Sequence, residues 1–229
     1  MATPESIDSS GVLLIQGDAG TGKTTICEWI APALGADFFD TGDMWRGMTA
    51  YALMEDFDWK FSVDCDELAK IYNFKCDGGR SFVCGIDVTE ELRSSPITAA
   101  VSQYASVSVL RKAFTRAARE WISSRPAIVS GRHLREIFPE AAVCLHIERE
   151  LEESKSMREQ HAGDGNAHLV QSRREQDVQN AVVAGVDLKM ATVLDVTGMS
   201  KLEQATAVLE LADASGFEVD WSLVGYGYR

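Results

Sequence analysis

The stretch that most constrains this chain is Gly17-Asp18-Ala19-Gly20-Thr21-Gly22-Lys23-Thr24, directly after the apolar run Val12-Leu13-Leu14-Ile15. It satisfies G-x-x-x-x-G-K-[ST] at every fixed position. The run before it reads as a buried strand, and Thr25 to Leu34 reads as a helix stopped near Gly35. Strand, glycine-rich turn and helix in that order make an anion cradle. Glycines let backbone N–H groups turn inward, and the helix start adds a partial positive charge. A turn with only a structural purpose would not need Lys23 reaching back over the loop. Lys23 is therefore expected on the β and γ phosphates of ATP or GTP, and the Thr24 hydroxyl on magnesium. The nucleotide-binding set is Gly17, Ala19, Gly20, Thr21, Gly22, Lys23, Thr24 and Thr25.

Composition narrows what surrounds this loop. At 229 residues the chain suits one domain with room for a small insertion. A net charge of -13 argues against a general nucleic-acid-binding surface. An anionic substrate stays open, because a local arginine cluster decides that. The five cysteines (Cys27, Cys65, Cys76, Cys84, Cys144) have no CxxC or zinc spacing and read as free thiols. No stretch is long and apolar enough to span a membrane, and Met1 to Ser10 is acidic and polar, unlike a secretion signal. A cytoplasmic location is expected.

Along the chain, strands are expected around Val12, Phe38, Ile128, Val143 and Val193, alternating with helices. That predicts an α/β, doubly wound five-stranded parallel sheet. Trp45 to Met54 reads as helix, and Asp56 to Lys70 is mixed and acidic. A hairpin is predicted from Ile71–Cys76 and Ser81–Cys84 around the turn Asp77-Gly78-Gly79-Arg80. It suggests a small inserted subdomain over 62–96, splitting a core of 11–61 and 97–212. Ile97 to Ile122 reads as one long helical region, Glu150 to Gln160 and Val170 to Val182 as helices, and Lys201 to Ala212 as the last helix. The tail 213–229 has no assigned element.

Several segments then resemble the bacterial cytidylate kinase family, a group of P-loop nucleoside monophosphate kinases. Asp40-Thr41-Gly42-Asp43-Met44-Trp45-Arg46 is similar to its D-[ST]-G-x-x-Y-R, and Gly85 to Ser94 to its G-x-D-V-[ST]-x-x-I-R. Ala100 to Ala105 with Arg111 resembles its base-contacting helix. Gly131-Arg132 stands where the family has G-R-D, and Ile137-Phe138-Pro139-Glu140-Ala141 matches V-F-P-[DE]-A. The resemblance runs from Gly11 to about Leu211. It implies a P-loop three-layer fold, ATP as donor, Mg2+ as cofactor, and a lid over 153–169 with Lys155 and Arg158 over the ATP phosphates. The implied acceptor site is Thr41, Gly42, Arg46, Ser102, Arg111, Arg132, His133, Arg173 and Asp177. Arg46, Arg132 and Arg173 would hold the acceptor phosphate, since an arginine fork matches phosphate bidentately. Arg173 and Asp177, four apart on one predicted helix face, would contact the sugar hydroxyls. Lys23, Arg132 and Arg173 form the implied catalytic set, and Asp40 would act near magnesium with Thr24.

The departures from that pattern carry as much information. His133 stands where the family has an aspartate that, by resemblance, accepts from the amine of cytosine. An imidazole can donate a hydrogen bond, whereas an aspartate only accepts. The expected acceptor is thus a pyrimidine (deoxy)nucleoside monophosphate shifted from CMP towards a 4-keto base, such as uracil, thymine or a 5-modified uracil. CMP or dCMP itself, another small metabolite, and nucleotide binding without catalysis are the alternatives. Trp45 replaces a tyrosine, Asp43 adds a carboxylate, Asn180 replaces an arginine, and Ser130 an acidic residue. The family's E-R-A-x-R-R lid helix survives only as Glu152 to Arg158, with Glu153 in place of an arginine. Asp18 stands at a usual proline, without an explanation. Expected partners are small nucleotides only, with no nucleic acid and no membrane, and a monomer is favoured.

Overall fold

A computed structural model describes residues 11–18, 20–77, 80–122, 126–154, 156 and 191–224. Two compact units emerge, Met1–Phe39 with Arg125–Arg229, and Asp40–Ser124. The 62–96 segment read as an insertion lies inside the second unit, along with three longer helices.

The first unit is built on a five-stranded parallel sheet. Its strands are β1 (Val12–Gly17), β2 (Asp37–Asp40), β6 (Ala127–Gly131), β7 (Val143–Glu148) and β8 (Thr192–Asp195), in the order β2-β6-β1-β7-β8. β1 is central and buried along its whole length, which is why its sequence is an unbroken apolar run rather than an alternation. β6 and β7 flank it in register, Leu14 pairing with Val129 on one side and Cys144 on the other. One face carries Leu13, Ile15, Ile128 and Leu145, covered by α1 (Lys23–Ile30) and α7 (Lys201–Ala214). β8 is an edge strand and mostly exposed. In a parallel sheet of this kind ligands bind beyond the carboxyl ends of the strands. The residues following β1, β6 and β7 are therefore neighbours, and these are the phosphate loop, Arg132-His133 and Arg149.

The second unit holds α2 (Thr41–Met54), α3 (Ser62–Ile71), a three-stranded sheet of β3 (Phe74–Asp77), β4 (Arg80–Val83) and β5 (Ile86–Asp87), then α4 (Ser95–Ser106) and α5 (Ser108–Ile122). In α5, Leu110, Ala113, Phe114, Ala117 and Ala118 recur at three- and four-residue steps and are buried, so the helix presents one apolar stripe inward. Trp45 of α2 stacks flat on Phe114 of α5, ring centroids 4.2 Å apart.

Three sequence expectations are corrected here. Ile71-Tyr72 does not begin a strand: Ile71 is the last residue of α3, whose buried Cys65, Leu68 and Ala69 keep a helical period, Tyr72 is its C-cap (ψ 120°), and the strand starts at Phe74. The stretch Ile97 to Ile122 is two helices, broken at Val107, whose backbone is extended (φ -80°, ψ 119°). Ser106 and Ser108 bracket the break, and the Ser106 hydroxyl donates to the Gln103 carbonyl at 2.7 Å, a local bond that competes with helix continuation. The first helix starts earlier and ends sooner than Thr25–Leu34, at Lys23 and Ile30, and turns away before Gly35 (φ 54°). A short 3-10 turn, Trp221–Leu223, lies in the tail, whose Asp220 N–H donates to the Ala33 carbonyl at 2.8 Å. Among the described residues no helix is long and apolar enough to cross a membrane.

Candidate active site

The phosphate loop leaves β1 at Gly17, which has φ 151° and lies against the next strand. A Cβ at Gly17 would sit 2.3 Å from the Ile147 carbonyl oxygen, so only glycine passes here. Gly22, left-handed at φ 88°, turns the chain into α1, whose first residue is Lys23. The Lys23 ammonium folds back over the loop, donating to the Asp18 carbonyl at 2.6 Å and to the Thr21 hydroxyl at 3.3 Å. Thr21 is itself buried and donates from its hydroxyl to the same Asp18 carbonyl at 3.0 Å. Asp18 serves here through its backbone carbonyl, which accepts from both Lys23 and Thr21. Thr24 is exposed in the first turn of α1.

After β6, Arg132 is exposed and His133 is half-buried. His133 is left-handed (φ 52°, ψ 37°) and caps the start of the short helix α6 (Leu134–Ile137). Few residue types enter that region readily, and histidine is one of them. The imidazole is placed by a turn rather than by a regular element. The Ile137-Phe138-Pro139-Glu140-Ala141 segment that follows buries Ile137, Phe138 and Ala141.

In the second unit, Asp40 is the N-cap of α2, its carboxylate accepting from the Gly42 N–H at 2.7 Å. Thr41 is buried. Arg46, on the same helix, donates from Nη1 to the Leu92 carbonyl at 3.1 Å and to the Thr98 hydroxyl at 3.0 Å. Those bonds fix the direction of its fork. Beside it, Asp43 forms an ion pair with Arg93 at 2.5 Å. Burial, together with the neighbouring Asp40 carboxylate, pushes the Asp43 carboxyl above the usual carboxylate range, although Arg93 and Arg46 pull it down. Ser102 and Arg111 are exposed on α4 and α5, with Arg111 donating to the Ala105 carbonyl at 3.4 Å. Ala19, Lys155, Arg158, Arg173, Asp177, Asn180 and most of the expected lid lie outside the described residues.

Sequence reasoning missed Arg149, and marked Glu153 only as a replaced arginine. Arg149, just past β7, reaches the phosphate loop, and Glu153 is its ion-pair partner. The only signal was an arginine set between two glutamates at the end of an apolar strand.

A parallel sheet with this loop on its central strand defines a phosphate-loop nucleotide-binding fold. The particular family follows from comparison with known proteins. The cytidylate kinase family description matches residues 13–213, and the chain belongs to that family. It is 28% identical over 211 residues to a cytidylate kinase of Thermotoga petrophila, covering 87% of this chain and 95% of that one. A Mycobacterium avium cytidylate kinase is 34% identical over 145 residues, 59% of this chain and 62% of the relative. A solved protein from Thermus thermophilus matches 90% of this chain and 97% of its own with a TM-score of 0.51 at 17% identity, which bears on the fold alone. Nothing in these relatives supports the expected change of base from cytosine.

Proposed function

We propose that the chain transfers the γ-phosphoryl group of ATP to the 5′-phosphate of a pyrimidine nucleoside monophosphate, giving ADP and the nucleoside diphosphate. The observation that carries this is the Lys23 ammonium held over a glycine-shaped loop at the end of the central strand, in a chain of the cytidylate kinase family.

In the reaction an acceptor phosphate oxygen attacks the γ phosphorus while the bond to the β–γ bridging oxygen breaks in line. The protein needs to position two anions and stabilise the charge that moves. The loop N–H groups and Lys23 would hold the donor phosphates. Arg46, whose fork is set by Leu92 and Thr98, would receive the acceptor phosphate with Arg132 and Arg173. A nucleotide-bound magnesium ion needs only one or two protein oxygens, and the Thr24 hydroxyl and the Asp40 carboxylate are of the right type. When bound, that ion would neutralise β and γ oxygens. Asp177 would bond the acceptor sugar, and Lys155 and Arg158 would cover the ATP phosphates. A cytoplasmic monomer acting on small nucleotides completes the reading.

Two readings part at the base. The name shared by the relatives favours CMP or dCMP. His133, where the family has an aspartate, favours a 4-keto pyrimidine, because an imidazole N–H can donate to the carbonyl. Turnover of CMP, dCMP, UMP, dUMP, dTMP and 5-hydroxymethyl-dUMP with MgATP tests both. A lead for the keto bases that reverses in His133→Asp assigns base choice to His133. A lead for CMP or dCMP removes that role and leaves the ordinary acceptor of the family.

A further inference from the structure

Arg149 is charged, yet its side chain is only 2% exposed. It follows β7 directly, and its Nε donates to the Thr21 carbonyl of the phosphate loop at 3.3 Å. Nη1 pairs with the Glu153 carboxylate four residues on, and the other Glu153 oxygen accepts from the Gly198 N–H at 3.0 Å. The same segment supports the loop elsewhere. Gly17 lies on the Ile147 carbonyl, and a Cβ at Gly20 would come within 3.2 Å of the Ser154 carbonyl oxygen. Ser154 is fully buried. Residues 147–154 are thus the bed on which the loop rests.

Burying a guanidinium is costly unless it is paired and hydrogen-bonded, so its place needs a reason. The reason lies in peptide geometry. The Thr21 C=O and the Gly22 N–H share one planar trans peptide and point in opposite directions. Drawing the carbonyl towards Arg149 turns the Gly22 N–H the other way, and adds a buried positive charge beneath the loop. We infer that Arg149 is a positioning residue for the donor phosphates, locked by Glu153, and that the pair sets the shape of the phosphate loop before nucleotide arrives. The inference rests on the reading of this loop as the donor cradle. It also gives Glu153 a use, as the carboxylate that holds Arg149.

The test is MgATP affinity by calorimetry and steady-state kinetics on the full chain. Arg149→Met keeps most of the volume and loses both bonds; the expected result is MgATP binding about tenfold weaker or more, with the acceptor KM within about twofold of wild type. Arg149→Lys keeps the charge without the fork and should recover only part of that loss. Glu153→Gln should weaken MgATP binding less than Arg149→Met, and the double variant should lose less than the product of the two single effects. If Arg149→Met does not fold, Arg149→Lys and Glu153→Gln carry the test. MgATP affinity within twofold of wild type in the variants that fold, or an equal rise in both KM values, overturns the inference. The kinase reading fails separately, if the wild-type chain transfers phosphate to no nucleoside monophosphate.

Discussion

Gly17 and Asp43 are where single side chains decide most. At Gly17 the added methyl of Gly17→Ala would meet the Ile147 carbonyl in a backbone region that alanine avoids. Strain and overpacking together should cost roughly 2–4 kcal/mol, lowering Tm by about 5–15 °C in a thermal melt. An unchanged Tm would mean that the loop does not rest on β7. Asp43 gives a pH signature. Its carboxyl is held above the ordinary range by burial and by Asp40, against Arg93 and Arg46. A folded-state pKa above the unfolded one gives stability that is full below the unfolded value, near 4, and is lost as pH rises through the raised value. The stability of Asp43→Asn relative to wild type should therefore climb between about pH 3 and pH 7 in denaturant titrations. A gap that stays flat or shrinks over that range would contradict the burial account.

Elements were legible where a periodic pattern and a terminal signal agreed. The helix α7 begins at Ser200, whose hydroxyl accepts from the Glu203 N–H while the Glu203 carboxylate accepts from the Ser200 N–H. Ser200→Ala should cost about 1 kcal/mol, read as a shift in denaturant midpoint, and no shift would remove the cap from the account. The strands β1, β6 and β7 were readable because burial on both faces demands largely apolar runs, and the phosphate loop because glycine, lysine and threonine stand at fixed places. The break at Val107 was not. Its residues all tolerate helix, and only the backbone and serine hydrogen bonds mark the turn. Ile71-Tyr72 misled for the opposite reason: β-branched and aromatic residues suggested a strand, whereas Ile71 closes α3 and Tyr72 is its C-cap, buried with its hydroxyl donating to the Met44 carbonyl. Arg149 was illegible because its importance lies in a contact with Thr21, more than a hundred residues away in sequence.

For the molecule as a whole, the chain divides its work between two compact units. The first carries the loop with Lys23, the Arg132-His133 turn and the Arg149 support, and the second carries Asp40 and the Arg46 seat. The tail also belongs to the fold, since Phe217, Val219 and Val224 pack on the cluster beneath α1. One phosphoryl transfer needs all of these parts, and the transfer itself is what most needs measuring. The direct measurement follows labelled γ-phosphate from ATP, with and without each pyrimidine monophosphate, in wild type and Lys23→Ala. The account predicts label in the nucleoside diphosphate only when an acceptor is present, and loss of transfer by at least about 100-fold in Lys23→Ala. Label released as free phosphate regardless of acceptor, or transfer that survives Lys23→Ala, would contradict it.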